Sequence, residues 1–168
     1  ERVPDEAVKN NIFGTLNVTL ASASAGIGKV ILISTDKAVE PSCVYGATKR
    51  VCELIFGMMN KISANTIYNV VRFGNVIGSR GSVIPLFDIK IIYTGLRNGE
   101  KLHEKLSYDN ENLLPIPGKH ILRADLPETD VEKLKLLLSR LEKAADEPRK
   151  IEEIEPILKE FIPEFKRI

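Results

Sequence analysis

Thr35, Asp36 and Lys37 follow directly on a short apolar run, and a little further on Tyr45 and Lys49 stand four residues apart. These are residue types that move protons: a hydroxyl, a carboxyl and an amine in sequence, then a phenol and a second amine. On a helix the Tyr-x-x-x-Lys spacing puts both side chains on one face, with the ammonium near the phenol. A fixed positive charge stabilises phenolate, which makes Tyr45 a candidate general base.

The elements that must hold these residues are legible around them. Val30, Ile31, Leu32 and Ile33 are apolar and mostly β-branched, the pattern of a parallel strand covered on both faces. Ser34 to Lys37 then lie past the carboxyl end of that strand, where open α/β sheets place their ligands. A helix is expected from Val44 to about Asn60, with Val44, Ala47, Val51, Leu54, Ile55 and Met58 as its apolar face. Thr66 to Phe73 reads as a second strand, with Val70 and Val71 buried and Arg72 near its polar end. In the loop that follows, Gly74, Gly78 and Gly81 let backbone approach a ligand closely. Asn75, Ser79, Arg80 and Ser82 offer donors there for phosphate or sugar oxygens. Strand, helix and strand in this order predict an α/β fold with a parallel sheet.

Upstream, Pro4, Asp5 and Glu6 are helix-start residues, and Ala7, Ile12, Leu16, Leu20 and Ala23 recur at near-helical intervals until Gly26. Gly26 and Gly28 are two apart, yet they close a helix and open a strand, the reverse of a dinucleotide loop. They are expected to form a cap and turn. Downstream, Ile89 to Thr94 reads as a strand and Gly95 to Glu104 as a turn and helix start. Ser107 to Leu126 is irregular, punctuated by Pro115, Pro117 and Gly118. Thr129 and Glu132 form a capping box ahead of a helix with Val131, Leu134, Leu138, Leu141 and Ala145 on one face. Pro148 ends that helix, and a last helical piece carrying Ile151, Ile154, Leu158 and Phe161 is interrupted or initiated at Pro156.

Composition narrows the function classes. The chain has 168 residues, 43% of them hydrophobic, enough for the core of one ordinary domain. A net charge of +1 gives no dense basic surface, so nucleic acid is not the expected partner. Cys43 and Cys52, both placed at or near the start of one helix, have no metal-like spacing and read as packing residues. His103, on an expected helix, and His120, in a turn, lack ligand company, so no metal site is expected. No run approaches the ~20 apolar residues of a membrane span and no signal peptide is visible, which suggests a cytoplasmic location.

Three stretches, STDKAVEPSCVYGATKR, VRFGNVIGSRGSVIPLF and GLRNGEKLHEKL, taken in order, resemble the extended short-chain dehydrogenase/reductases. Within these they resemble the capsular polysaccharide biosynthesis group of nucleotide-sugar 4,6-dehydratases. The resemblance implies a partial Rossmann-like sheet, its second half, over residues 1–87, and a helical remnant of the C-terminal substrate-binding domain over 88–168. Two large pieces of the family's usual chain are expected to be missing: the glycine-rich first half and a stretch after Phe87. The family's Asn-x-x-Gly-Thr-x-Asn segment is matched by NNIFGTLNV, where Asn11 would help to hold the active-site region. Asn98 stands where the family usually has proline, which leaves that turn less rigid.

The resemblance also implies a mechanism. Tyr45, assisted by Lys49, would deprotonate the sugar 4-hydroxyl while NAD or NADP accepts hydride from carbon 4, with Thr35 bonded to that oxygen. Lys37 would then remove the carbon-5 proton and Asp36 protonate the departing 6-hydroxyl, after which hydride returns to carbon 6. Tyr45 and Lys49 would also contact the cofactor, and Asn75, Arg80, Arg97 and Glu100 the UDP-sugar, of UDP-N-acetylglucosamine type. Arg97 and Glu100 correspond to residues that meet the diphosphate and ribose. The family's UDP-sugar 4-epimerases share the Tyr-Lys pair but lack the Asp-Lys pair, so dehydration is favoured over epimerisation. Without a glycine loop, this chain alone is expected neither to hold the cofactor tightly nor to be active. A reading of another class, a non-catalytic remnant or assembly module with inherited site residues, differs in requiring no upstream half. An open sheet edge predicts self-association.

Overall fold

A computed structural model describes residues 3–76, 95–126, 128–146 and 151–167. Its N-terminal helix runs from Pro4 to Ser24 as three segments, α1 (Pro4–Ala7), a π-helical stretch (Val8–Phe13) and α2 (Gly14–Ser24). Gly26, at φ +68, turns the chain out of α2. The Ile27 N–H closes that turn on the Ser22 carbonyl at 3.0 Å, the backbone left-handed turn that a glycine takes without cost. The expected cap and turn is present. Val8 and Ile12 are buried in the core, but Leu20 is 47% exposed, so the apolar face fails toward the helix's C-terminal end.

Strand β1 (Lys29–Ile33), helix α3 (Val44–Ile62) and strand β2 (Ile67–Val71) form the expected strand, helix and strand. The strands pair in parallel, Lys29 opposite Ile67 and Ile33 opposite Val71. Val44, Ala47, Val51, Ile55 and Met58 of α3 are buried. Asn60 clamps α3 to β2 by accepting from the Tyr68 N–H at 2.9 Å and donating to the Tyr68 carbonyl at 2.7 Å. Tyr68, not Val71, is the buried residue of β2. Nor is β1 covered on both faces: Ile31, Ile33, Ile67 and Val71 are all exposed, and only the opposite face meets the helices. The β-branched run signalled a strand correctly but could not say what lay on its second side.

The C-terminal helices close the same core from the other side. α4 (Val131–Ala145) and α5 (Ile151–Phe161) bury Leu134, Leu137, Leu141, Ile154 and Leu158 in one cluster with Ile12, Val51 and Ile55. The cap of α4 is Asp130, whose carboxylate accepts from the Lys133 N–H at 3.0 Å, rather than the expected Thr129. Thr129 is buried instead, its hydroxyl 3.4 Å from the Leu54 carbonyl. Pro156 lies inside α5, which neither starts nor breaks there. Its loss of one backbone donor is offset by the apolar face on either side.

Residues 95–111 form turns and bends, not the expected helix start, so His103 sits in a bend; it and His120 are exposed. A two-stranded antiparallel pair, β3 (Leu114–Pro115) with β4 (Leu122–Arg123), gives the 107–126 region an order that its punctuation did not reveal. The expected strand at Ile89 to Thr94 and the helix end at Pro148 lie outside the described residues. Among the described residues no helix is long and apolar enough to cross a membrane, and no cluster could hold a metal ion.

Candidate active site

The backbone delivers the proton-moving residues to one end of the sheet. Where β1 stops, the Ser34 N–H still bonds the Val71 carbonyl at 2.8 Å, and the chain then enters a 3-10 turn, Asp36–Ala38. Thr35 caps this turn, its hydroxyl oxygen 3.4 Å from the Lys37 N–H. The same hydroxyl donates to Asp36 Oδ1 at 2.7 Å, and Lys37 Nζ reaches that oxygen at 3.1 Å. Asp36 is buried and Lys37 half-buried. Burial by itself would raise the Asp36 pKa, but the Thr35 hydroxyl and the Lys37 ammonium outweigh it and hold the carboxyl below its ordinary value. For Lys37 burial pulls down, while the bond to Asp36 and then the charge of Glu104 push up, and the net shift is upward. At rest the pair is therefore carboxylate and ammonium.

Tyr45 and Lys49 lie one turn apart at the start of α3, as their spacing predicts. The Lys49 ammonium donates to the Ile33 carbonyl at 2.8 Å, at the end of β1, instead of to the phenol. Tyr45 is 45% exposed and its hydroxyl has no hydrogen-bond partner among the described residues. Gly46 makes the junction possible. A Cβ there would fall 2.2 Å from the Lys37 carbonyl oxygen, so only glycine lets the first turn of α3 pass this close under the 3-10 turn. Asn11, in the π-helical stretch, donates to the Thr48 hydroxyl at 2.9 Å and so braces the same turn of α3 from the far side.

The segment 95–111 is strapped over this loop. Ser42 donates to the Gly99 carbonyl at 2.8 Å, Lys101 to the Val39 carbonyl at 2.8 Å, and the buried Tyr108 hydroxyl to the Ala38 carbonyl at 2.9 Å. Arg97 and Glu100 form one turn of it, the Arg97 N–H bonding Glu100 Oε2 at 2.9 Å, with both residues exposed. Asn75 is exposed just past β2, next to Gly74, where a Cβ would stand 3.2 Å from Asp36 Oδ2. Arg80, with Gly78, Ser79, Gly81 and Ser82, lies outside the described residues.

Beneath the site is a charged cluster that sequence reasoning missed. Glu53 is fully buried and accepts from Ser34 Oγ at 2.7 Å, from Arg72 Nε and NH2 at 2.7 Å each, and from Arg50 NH1 at 3.0 Å. Arg72 also grips Glu111 of the strap with both oxygens at 2.8 Å. Arg50 lies over the Tyr108 ring at 4.5 Å. Burial pushes Glu53 up, but Arg72 foremost, then Ser34 and Arg50, bring its pKa below the ordinary value. The available signal was Glu53 itself, one further step of four along α3 from Tyr45 and Lys49.

An open groove of about 410 Å³ runs beside β1, lined by Asn11, Thr15, Ile31 to Ile33, Lys49 and Phe56 among others. Its polar lining includes the Asn11 amide, the Thr15 hydroxyl and the Lys49 ammonium, of which the amide is engaged by Thr48 and the ammonium by Ile33. No glycine-rich turn opens a helix toward it among the described residues.

A profile of the family described as polysaccharide biosynthesis protein matches residues 1–91. The chain is similar to the capsular polysaccharide biosynthesis protein CapD of Staphylococcus aureus, 52% identical over 88 residues, which are 52% of this chain and 15% of that protein. It is similar to the probable polysaccharide biosynthesis protein EpsC of Bacillus subtilis, 55% identical over 91 residues, covering 54% of this chain and 15% of that one. Against the UDP-N-acetylglucosamine 4,6-dehydratase (inverting) of Campylobacter jejuni it is 46% identical over 96 residues, 56% of this chain and 28% of the enzyme. The chain thus spans less than a third of the length of these relatives.

Proposed function

Because the chain belongs to the polysaccharide biosynthesis protein family, we propose that it carries the acid–base machinery of a UDP-sugar 4,6-dehydratase. Residues 1–87 would belong to the catalytic domain and 88–168 to a substrate-binding remnant. The observation that carries this reading is the Thr35, Asp36 and Lys37 cluster at the carboxyl end of β1, one loop away from Tyr45 and Lys49 on α3. The similarity to the Campylobacter jejuni enzyme supports a UDP-N-acetylglucosamine-type substrate.

In this mechanism Tyr45, as phenolate, takes the proton of the sugar 4-hydroxyl, with Lys49 fixing the strand end beside it and Thr35 bonding the same oxygen. NAD or NADP, when bound against Lys49, would supply the acceptor for the carbon-4 hydride and return it to carbon 6 after water is lost, so the reaction closes without net oxidation. Lys37 then removes the proton on carbon 5, acidified by the new ketone, and Asp36 protonates the leaving 6-hydroxyl. Asn75, Arg80, Arg97 and Glu100 would meet the UDP portion.

The test joins this chain to the glycine-rich first half of a relative and compares the parent with Lys37→Ala in single turnover. Cofactor reduction should persist while water loss falls by about 100-fold or more, the usual contribution of a positioned base. Equal loss of both steps would remove Lys37 from the role given to it.

A further inference from the structure

Lys37 does not face Asp36 alone. Glu104, on the strap, lies 3.7 Å from Lys37 Nζ through Oε1. Its other oxygen, Oε2, is buried with no hydrogen-bond partner among the described residues, 3.7 Å from Lys101 Nζ. Cys43, at the start of α3, adds a further influence on the Lys37 charge. The ammonium is thus held between a carboxylate of its own turn and one that belongs to a different part of the chain.

We propose that Glu104 is a positioning residue for Lys37: it holds the ammonium in its charged form and so opposes the proton crossing from Lys37 Nζ to Asp36 Oδ1. This rests on the roles proposed above. A base at Lys37 and an acid at Asp36 require a neutral amine and a protonated carboxyl, whereas the resting pair has the proton on nitrogen. One proton moved across the 3.1 Å contact converts the resting pair into the working one, with no change in net charge. Glu104 favours the starting state on balance, since it attracts the ammonium and not the amine and its contact is with Lys37, not with Asp36. Displacing the strap from Lys37 when substrate enters would therefore favour the working pair. Removal of Glu104 should do the same without substrate.

The experiment needs no turnover, so its failure is separable from failure of the dehydratase reading. The folded 168-residue chain is treated with an amine-acylating reagent at pH 8 to 9 on the order of minutes, where rate follows the neutral fraction of each lysine. Labelling of Lys37 is read by peptide mass spectrometry against exposed Lys135 in the same sample. Glu104→Gln should label Lys37 about two- to fivefold faster than the parent, the range of one partly exposed ion pair. Glu104→Asp should restore much of the protection. Lys101→Gln should leave Lys37 at or below the parental rate, because Glu104 then acts on Lys37 uncompensated. Equal rates in Glu104→Gln and the parent would overturn the proposal. So would an equal acceleration in Lys101→Gln, which marks general loosening of the strap.

Discussion

Glu53 has no exposed surface and is held by Arg50, Arg72 and Ser34, so each of its lone-pair directions is spoken for by a charged or hydroxyl donor. Such a cluster says little about net stability while intact, but removing one partner leaves buried charge without compensation. Glu53→Gln is expected to cost about 3–5 kcal/mol by urea unfolding at pH 7. The pH dependence has a definite sign. With its folded pKa below the unfolded one, Glu53 contributes stability that is complete above the ordinary glutamate value of about 4.3 and is lost as pH falls through the folded pKa. The acid limb of the parent should therefore be steeper than that of Glu53→Gln, and parallel limbs would show that another carboxylate controls acid unfolding. Ser34 gives the cluster its bearing on function. It bonds Glu53 and is followed at once by Thr35, so the buried charges fix where the proton-moving residues begin.

At the level of elements, the junction of β1, the 3-10 turn and α3 depends on one missing methyl group. Helix propensity alone would favour alanine over Gly46 by about 1 kcal/mol. The Lys37 carbonyl, 2.2 Å from where that methyl would stand, is backbone and cannot step aside cheaply. Gly46→Ala should thus destabilise by about 1–3 kcal/mol despite its better propensity. Gly28→Ala, with open space around it, should be near neutral. A Gly46→Ala chain as stable as the parent would mean that the two elements are less tightly joined than their separation indicates. This junction also marks how far sequence could reach. Periodicity located β1, α3, β2, α4 and α5, because each element repeats its own local pattern. The contacts between elements were hidden, since Glu53 to Arg72 and Tyr108 to Ala38 join residues that no local period relates. The strap departs from the helix start expected within Gly95 to Glu104 for a similar reason: Gly95 and Gly99 at positive φ and side-chain bonds to the 36–43 loop hold it in turns. Asp130 beat Thr129 to the cap of α4 because the buried Thr129 hydroxyl lies against Leu54 instead.

For the molecule as a whole, the unbalanced feature is the sheet. Its inner face is sealed by α3 with α4 and α5 behind it, while its outer face shows Ile31 at 59%, Ile33 at 55% and Ile67 at 52% exposed, with Ile33 opposite the exposed Val71. Among the described residues β1 pairs only with β2, and on its other edge the Ile33 carbonyl is taken by the Lys49 ammonium while Lys29 and Ile31 have no strand partner there. Charge does not guard the strand, which carries only Lys29 at its far end. Each isoleucine left about half exposed has roughly 1 kcal/mol still to gain from burial, and the open edge supplies the hydrogen-bonding direction that turns apolar contact into ordered pairing. We therefore expect the 168-residue chain to self-associate at micromolar concentration through β1. Sedimentation velocity over a concentration series should show growth in mass, and the double variant Ile31→Lys, Ile67→Lys should shift it toward monomer without loss of helical signal. Both substituted side chains point away from the sealed core, so the change reports on association and not on folding. A parent chain that sediments as a monomer throughout, and unfolds in one cooperative step, would show that the exposed face is tolerated by itself.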